Sequence, residues 1–325
     1  MKRRILAAAV AAAAALTALP FGAAQAQFPE RPINLIVPFA AGGNIDTTAR
    51  GVANLMSQTL GQTVVVQNKG GAGGLLGAEY VARSAPDGYT LLLVSTGSLA
   101  AAPALYPKLT FSPVKDFATA GGITRVPLIL VVNPKLPVKN VAELIALAKA
   151  KPGSLTMAST GTGTSNHLAG ELFQSMAGVK FVHVPYRGSA QALNDLLGGQ
   201  VDLMFDNLTS SLPFIKDDKL RALGVTGAKR SAALPALATL SESGLPGFEA
   251  STTTGIAFPA GTPSEITKKI DAALEKAVKD QKLRASFAQL GADMADLDAA
   301  GFATLMKSEG VKWGKVITDA DVKPD

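Results

Sequence analysis

Residues 33–56 read INLIVPFAAGGNIDTTARGVANLM, and the order of features in this stretch decides the fold class. INLIV (33–37) is a short, continuous apolar run, the pattern of a strand covered on both faces. PFAAGG (38–43) is a glycine-rich turn. Beyond it Ala49, Val52, Ala53, Met56 and Leu60 recur at helical spacing and place one apolar stripe on a helix over 46–60. A strand that passes through a tight turn into a helix is the first half of a βαβ unit, and such units build mostly parallel sheets.

The same plan recurs along the chain. TVVVQ (63–67) leads through NKGGAGG (68–74) and a helix to TLLLV (90–94). LTMAS (155–159) leads through TGTGTSN (160–166) and a helix over 166–177 to FVHV (181–184). That run leads through PYRGS (185–189) and a helix over 189–198 to VDLMF (201–205). LILVV (128–132) and LGVT (223–226) also read as strands, and 141–150, 264–279 and 299–317 as helices. Two α/β lobes of like plan follow. The helices after Pro263 have no third set of strands to pack on, so they are expected to return to the first lobe. The backbone then crosses between lobes at 121–134 and at 247–261, both extended and bounded by Gly and Pro. Paired crossings make a hinge, and a hinge between two lobes makes a closing cleft. The expected organisation is residues 27–127 plus 250–325 in one lobe and 128–249 in the other.

The segment MKRRILAAAVAAAAALTALPFGAAQAQ (1–27) carries Lys2, Arg3 and Arg4, an alanine-rich apolar run, and the small-x-small triplet Ala24-Gln25-Ala26. That is the form of a secretory signal peptide cleaved after Ala26, which predicts an exported protein. Without Lys2, Arg3 and Arg4, 28 of the 31 basic residues remain against 25 acidic ones. The charge is mild, scattered and not interleaved with aromatics, so no nucleic-acid surface is expected. The absence of cysteine removes disulfides, thiolate catalysis and Cys-ligated metals.

Candidate binding residues stand at strand ends. After the first strand, Phe39, Ala40, Ala41, Gly42, Gly43, Asn44 and Asp46 form a turn into a helix start. Its free backbone N–H groups and dipole suit an anion. An ordinary βα turn capped by Asp46 is the alternative reading. The counterpart is Thr160, Gly161, Thr162, Thr164, Ser165 and Asn166, with His167 one residue on. Tyr186, Arg187 and Gly188 follow another strand; Arg187 could pair with a carboxylate and Tyr186 could stack on a ligand. Ser95, Thr96 and Ser98, and Asp206 with Asn207, complete the strand-end set. Asp206 either caps a helix or faces the cleft, where it would repel a distal carboxylate or hold an amino or hydroxyl group.

Gly71, Gly73 and Gly77 do not make a dinucleotide fingerprint, because no acidic residue ends the next strand. The chain has two histidines, His167 and His183, without a carboxylate at metal-binding spacing, and no G-x-S-x-G or H-E-x-x-H. No catalytic residue, cofactor or metal is expected.

Three ordered stretches resemble the periplasmic solute-binding proteins of tripartite tricarboxylate transporters, the Bug or TctC family. They are FPERPINLIVPFAAGGNIDTTAR (28–50), VVVQNKGGAGGLLGAEYVARSAPDGYTLLL (64–93) and FVHVPYRGSAQALNDLLGGQVDLMFD (181–206). Gly70 departs from the family pattern, where proline usually precedes the glycines. The resemblance implies a type II periplasmic-binding-protein fold with two crossing strands. It implies a ligand carboxylate gripped between Phe39–Asp46 on one lobe and Thr160–His167 with Tyr186–Ser189 on the other. The expected ligands are mono- and dicarboxylates, amino acids or aromatic acids. The expected partner is a membrane permease, or alternatively a sensor kinase reading the same site, and the protein itself is expected to be a monomer.

Overall fold

The computed structural model describes residues 28–324, so the expected signal peptide and its cleavage point lie outside the described residues. The chain divides into Met1–Glu30 and Arg31–Asp325, and every strand and helix described belongs to the second unit.

The first run comprises β1 (Ile33–Val37), α1 (Asn44–Leu60), β2 (Val64–Asn68), α2 (Leu75–Ala82), β3 (Thr90–Ser95) and α3 (Thr96–Leu105). A long strand, β4 (Phe117–Val132), leads into α4 (Val141–Ala150), β5 (Thr156–Ser159), α5 (Ser165–Ala177) and β6 (Val182–Pro185). Then come α6 (Ser189–Gly198), β7 (Leu203–Asn207), α7 (Leu208–Lys216) and β8 (Arg221–Val225). The chain ends with β9 (Ser251–Pro259), α8 (Ser264–Val278), α9 (Gln281–Gln289), β10 (Asp293–Met294) and α10 (Ala299–Asp319).

Local chemistry accounts for the helix limits. Helix α1 buries Ala49, Val52, Ala53 and Met56 and stops at Gly61, whose φ of 70° only glycine adopts without strain. Helix α5 is capped by Thr164, whose hydroxyl accepts from the His167 N–H, and it stops at Gly178. Its buried face is Leu168, Ala169, Phe173 and Ala177, while Met176 faces outward. Helices α3 and α7 escape a periodicity reading because each holds a proline, Pro103 and Pro213, that normally argues against a helix.

The strand order is β2-β1-β3-β9-β4-β7-β5-β6, with β10 and β8 also on β4. Pairs β1–β2, β1–β3, β5–β6 and β5–β7 are parallel. Strand β4 explains how the halves connect. Its residues up to Pro127 pair with β9, and those from Leu128 pair with β7 and β8. One continuous strand therefore passes from one half of the sheet to the other, and β9 lies antiparallel beside it. These are the two extended crossings anticipated at 121–134 and 247–261.

Each half has its own core. One cluster joins Ile36, Leu92, Val94, Leu99, Phe111 and Phe302. The other joins Leu130, Phe173, Phe181, Phe205, Phe248 and, from the far end of α10, Trp313 and Ile317. The last helix thus packs partly on the second half. Apolar burial on this scale, about 25 cal/mol per Å2, drives the folding of a chain without disulfides.

Candidate functional site

Five helices begin at one place. The N-cap residues of α1, α3, α5, α6 and α7 are Gly43, Ser95, Thr164, Gly188 and Asn207. All five line a single narrow cavity of about 20 Å3. The parallel strands deliver their carboxyl ends to this point, which is where open α/β sheets bind ligands. Four of the five caps, all but Thr164, make no side-chain capping bond, so the first-turn N–H groups of those helices have no side-chain cap. The partial positive charge of five helix ends falls on the same volume. No Lys, Arg or His lines it.

The polar side chains around the cavity are buried and incompletely bonded. Among the described residues, Asn44 Nδ2, Ser98 Oγ, Ser165 Oγ, Asn207 Oδ1 and Thr252 Oγ1 are buried atoms without a hydrogen-bond partner, and all five residues line this cavity. Buried polar atoms are nearly always paired, and each left unpaired costs about 1–3 kcal/mol. Five together around one hollow concentrate unmet hydrogen-bonding capacity at this point. The two halves meet around it. The Thr209 hydroxyl donates to Asn44 Oδ1 at 2.9 Å, and the Ala40 N–H donates to the Arg187 carbonyl at 3.4 Å. Gly70 lies so close to Phe39 and Ala40 that a Cβ there would stand 3.2 Å from their backbone. A side chain at this departure from the family pattern would press on the first turn.

Fourteen of the sequence-expected site residues line the cavity: Phe39, Ala40, Gly43, Asn44, Asp46, Ser95, Ser98, Thr160, Thr164, Ser165, Asn166, Gly188, Ser189 and Asn207. The Asp46 carboxylate, however, is turned to its own loop. It accepts from the Gly42 N–H at 3.1 Å, from Arg50 Nε at 3.0 Å and from Asn68 Nδ2 at 3.0 Å. Burial alone would raise its pKa, but these donors outweigh that and hold it below the usual 3.8. Asp46 is the clasp that shapes the turn. Replacing it by alanine is expected to lower stability by about 1–3 kcal/mol. Because its folded pKa is depressed, the contribution is full above the unfolded value and is lost as pH falls. Denaturant melts of the two proteins should therefore converge below about pH 3.8.

The other expected residues stand elsewhere. Ala41 and Gly42 are on the exposed outside of the turn. Thr96 is buried and accepts from the Thr253 N–H on β9 at 3.3 Å. Gly161 and Thr162 pack against Gly73, where an added Cβ would stand 2.5 Å from the Thr162 carbonyl. The Tyr186 hydroxyl donates to Asp195 at 2.6 Å, with its pKa pushed to about 12 by burial and by that carboxylate, so it does not stack in the cavity. The Arg187 side chain is exposed, and only its carbonyl reaches the first half. His167 faces away as well. Its ring stacks on His183 at 3.7 Å and its Nδ1 accepts from the Gly163 N–H at 3.1 Å. The histidine pair braces the 160–164 turn from behind. Asp206 is fully buried one layer below the cavity wall.

Thr252 is the wall residue that strand-end reasoning misses, since it comes from the crossing strand β9. The hydroxyl run Ser251-Thr252-Thr253-Thr254 in an otherwise apolar crossing is the sequence signal that points to it.

The family model described as tripartite tricarboxylate transporter family receptor, TctC, matches residues 48–322. Among solved structures, the periplasmic binding protein BugD is 38% identical with a TM-score of 0.88, over 91% of this chain and 99% of its own. Rpa4515 of R. palustris, solved with adipate, is 35% identical with a TM-score of 0.88, over 92% and 100%. MatC from Rhodopseudomonas palustris, solved with bound malate, is 34% identical with a TM-score of 0.86, over 89% and 100%.

Proposed function

This chain belongs to the tripartite tricarboxylate transporter receptor family of periplasmic solute-binding proteins, and from that premise we propose that it captures a small carboxylate between two hinged lobes. The fold is the type II periplasmic-binding-protein fold. The lobes are taken as 27–127 plus 250–325 and 128–249, with exchange of strand partners at Pro127/Leu128 as the hinge. Cleavage after Ala26 releases the chain to the periplasm as a monomer. A membrane permease then reads the closed form.

One observation carries this reading: five uncharged, buried and unpartnered polar atoms surround a cavity at which five helices start. Such a site suits an anion. Backbone and hydroxyl donors meet the charge, and the absence of a lining cation leaves no fixed ion pair to break on release. Charge-assisted hydrogen bonds contribute about 1.5–3 kcal/mol each, so a few of them exceed the cost of closing the lobes. The adipate and malate held by the two R. palustris relatives are small carboxylates, the class proposed for this chain.

A thermal-shift screen across carboxylates, sugars and cations tests the reading. Small acids are expected to stabilise the protein, by about 2.7 kcal/mol when present at one hundred times their Kd. A set of hits dominated by sugars or cations would overturn the site.

A further inference from the structure

A hydroxyl has one proton and two lone pairs, so once the proton is engaged it can only accept. That rule sorts the second-lobe wall. The Asn166 amide is oriented without ambiguity, because its Nδ2 lies 2.7 Å from the Phe205 carbonyl and 3.4 Å from Asp206 Oδ1, both acceptors. Its Oδ1 must then accept from Thr160 Oγ1 at 2.8 Å, which engages the Thr160 proton. Asp206 accepts from Ser189 Oγ at 2.8 Å and from Ser211 Oγ at 2.7 Å, and also from the Asn207 N–H. Burial raises the Asp206 pKa to about 6, but the donors converging on it from Asn166, Ser189, Ser211 and the Asn207 N–H favour the ionised carboxylate, which can only accept. The Ser189 proton is therefore engaged too. Thr160 and Ser189 present lone pairs to the cavity they line, and beside them stands Asn207 Oδ1, buried and without a partner. Across the cavity, Asn44 Nδ2 is a buried donor without a partner, next to the start of α1.

Resting on the carboxylate reading above, we infer that this wall selects acids bearing a hydroxyl or ammonium donor near the carboxylate, through the acceptor oxygens of Thr160, Ser189 and Asn207. The carboxylate faces Asn44 and the start of α1, and the ligand's donor faces the acceptor oxygens. An acid that offers only methylene groups there leaves three buried acceptors unpaired, and sites built to bond a substrate OH or NH reject analogues that lack it. Asp206 is the positioning residue: it never touches the ligand, but it decides which way the Ser189 proton points.

The test is calorimetric titration with malate, aspartate and succinate, which share two carboxylates and differ in the donor. The native protein is expected to bind malate or aspartate at least tenfold more tightly than succinate. In Asp206→Asn the new amide can donate to Ser189 and turn the serine proton to the cavity, so the ratio is expected to fall toward one. Should that variant not fold, Thr160→Val removes an acceptor at nearly constant shape and is expected to shrink the same ratio. Succinate binding as tightly as both donor-bearing acids overturns this inference and leaves the carboxylate reading standing. Failure of the folded native protein to bind any of the three acids overturns this inference, and the carboxylate reading falls with it only if the thermal-shift screen also yields no acid.

Discussion

Replacing Gly97 by alanine is expected to weaken carboxylate binding roughly 5- to 150-fold while leaving the unliganded fold intact. Gly97 is the second residue of α3, in the proposed first lobe, and it faces Ser165, the first residue of α5, in the proposed second. A Cβ at position 97 would land on Ser165 Oγ and stand 3.1 Å from the Ser165 Cα. The side chain can swing away, but the backbone of α5 must also retreat, and overpacking of this kind costs about 1–3 kcal/mol. Under the proposed closure that cost falls on the closed arrangement alone, because opening the lobes would part the two residues. In the open state alanine suits a helix better than glycine by up to about 1 kcal/mol. The melting temperature without ligand should thus hold or rise slightly while affinity falls. Calorimetric titration and a ligand-free melt together check this. Unchanged affinity would show that Gly97 and Ser165 do not meet in the bound state, and the proposed closure would fail with it.

The change Asn44→Asp is expected to have a larger effect, a loss of affinity beyond 100-fold, equivalent to about 2.7 kcal/mol or more. The native amide has its Oδ1 held by Thr209 and its Nδ2 buried without a partner at the cavity wall. Aspartate keeps the size and the Thr209 bond, and it replaces the waiting donor with a carboxylate oxygen. A charge-assisted bond worth about 1.5–3 kcal/mol is lost, and like charges are brought together in a buried place. The fold should not suffer, because an acidic residue in the first turn of α1 interacts favourably with the helix dipole. Equilibrium binding to whichever acid the screen identifies measures the loss, with the ligand-free melt as control. An Asn44→Asp protein that binds acids normally would move the anion away from α1.

These two expectations rest on different layers of information. That Asn44 starts a helix behind a glycine-bearing turn is legible in LIVPFAAGGNID, since an apolar run, a flexible turn and a periodic stripe are local features. The same locality made the strand ends of Thr160 and Gly188 recognisable, and with them the two lobes and both crossing segments. The apposition of Gly97 and Ser165 has no such signature. They are 68 positions apart, and α3 itself is obscured by Pro103 and a run of alanines.

The polar residues divide along the same line. The sequence shows that Asp46, His167, Tyr186 and Asp206 follow strands or open helices, but their side chains have other partners. Asp46 clasps its own turn, His167 lies against His183, Tyr186 bonds Asp195, and Asp206 sits under Ser189. By itself, then, the sequence determined the alternating α/β plan, the two crossings and the places where helices begin, because periodicity, glycine turns and caps act within a few residues. The tertiary structure alone decided which donors and acceptors remain unpaired at the cavity, including Thr252 from the crossing strand. A hydrogen bond satisfies its group only through a partner at about 3 Å, and here those partners come from segments far apart in the chain.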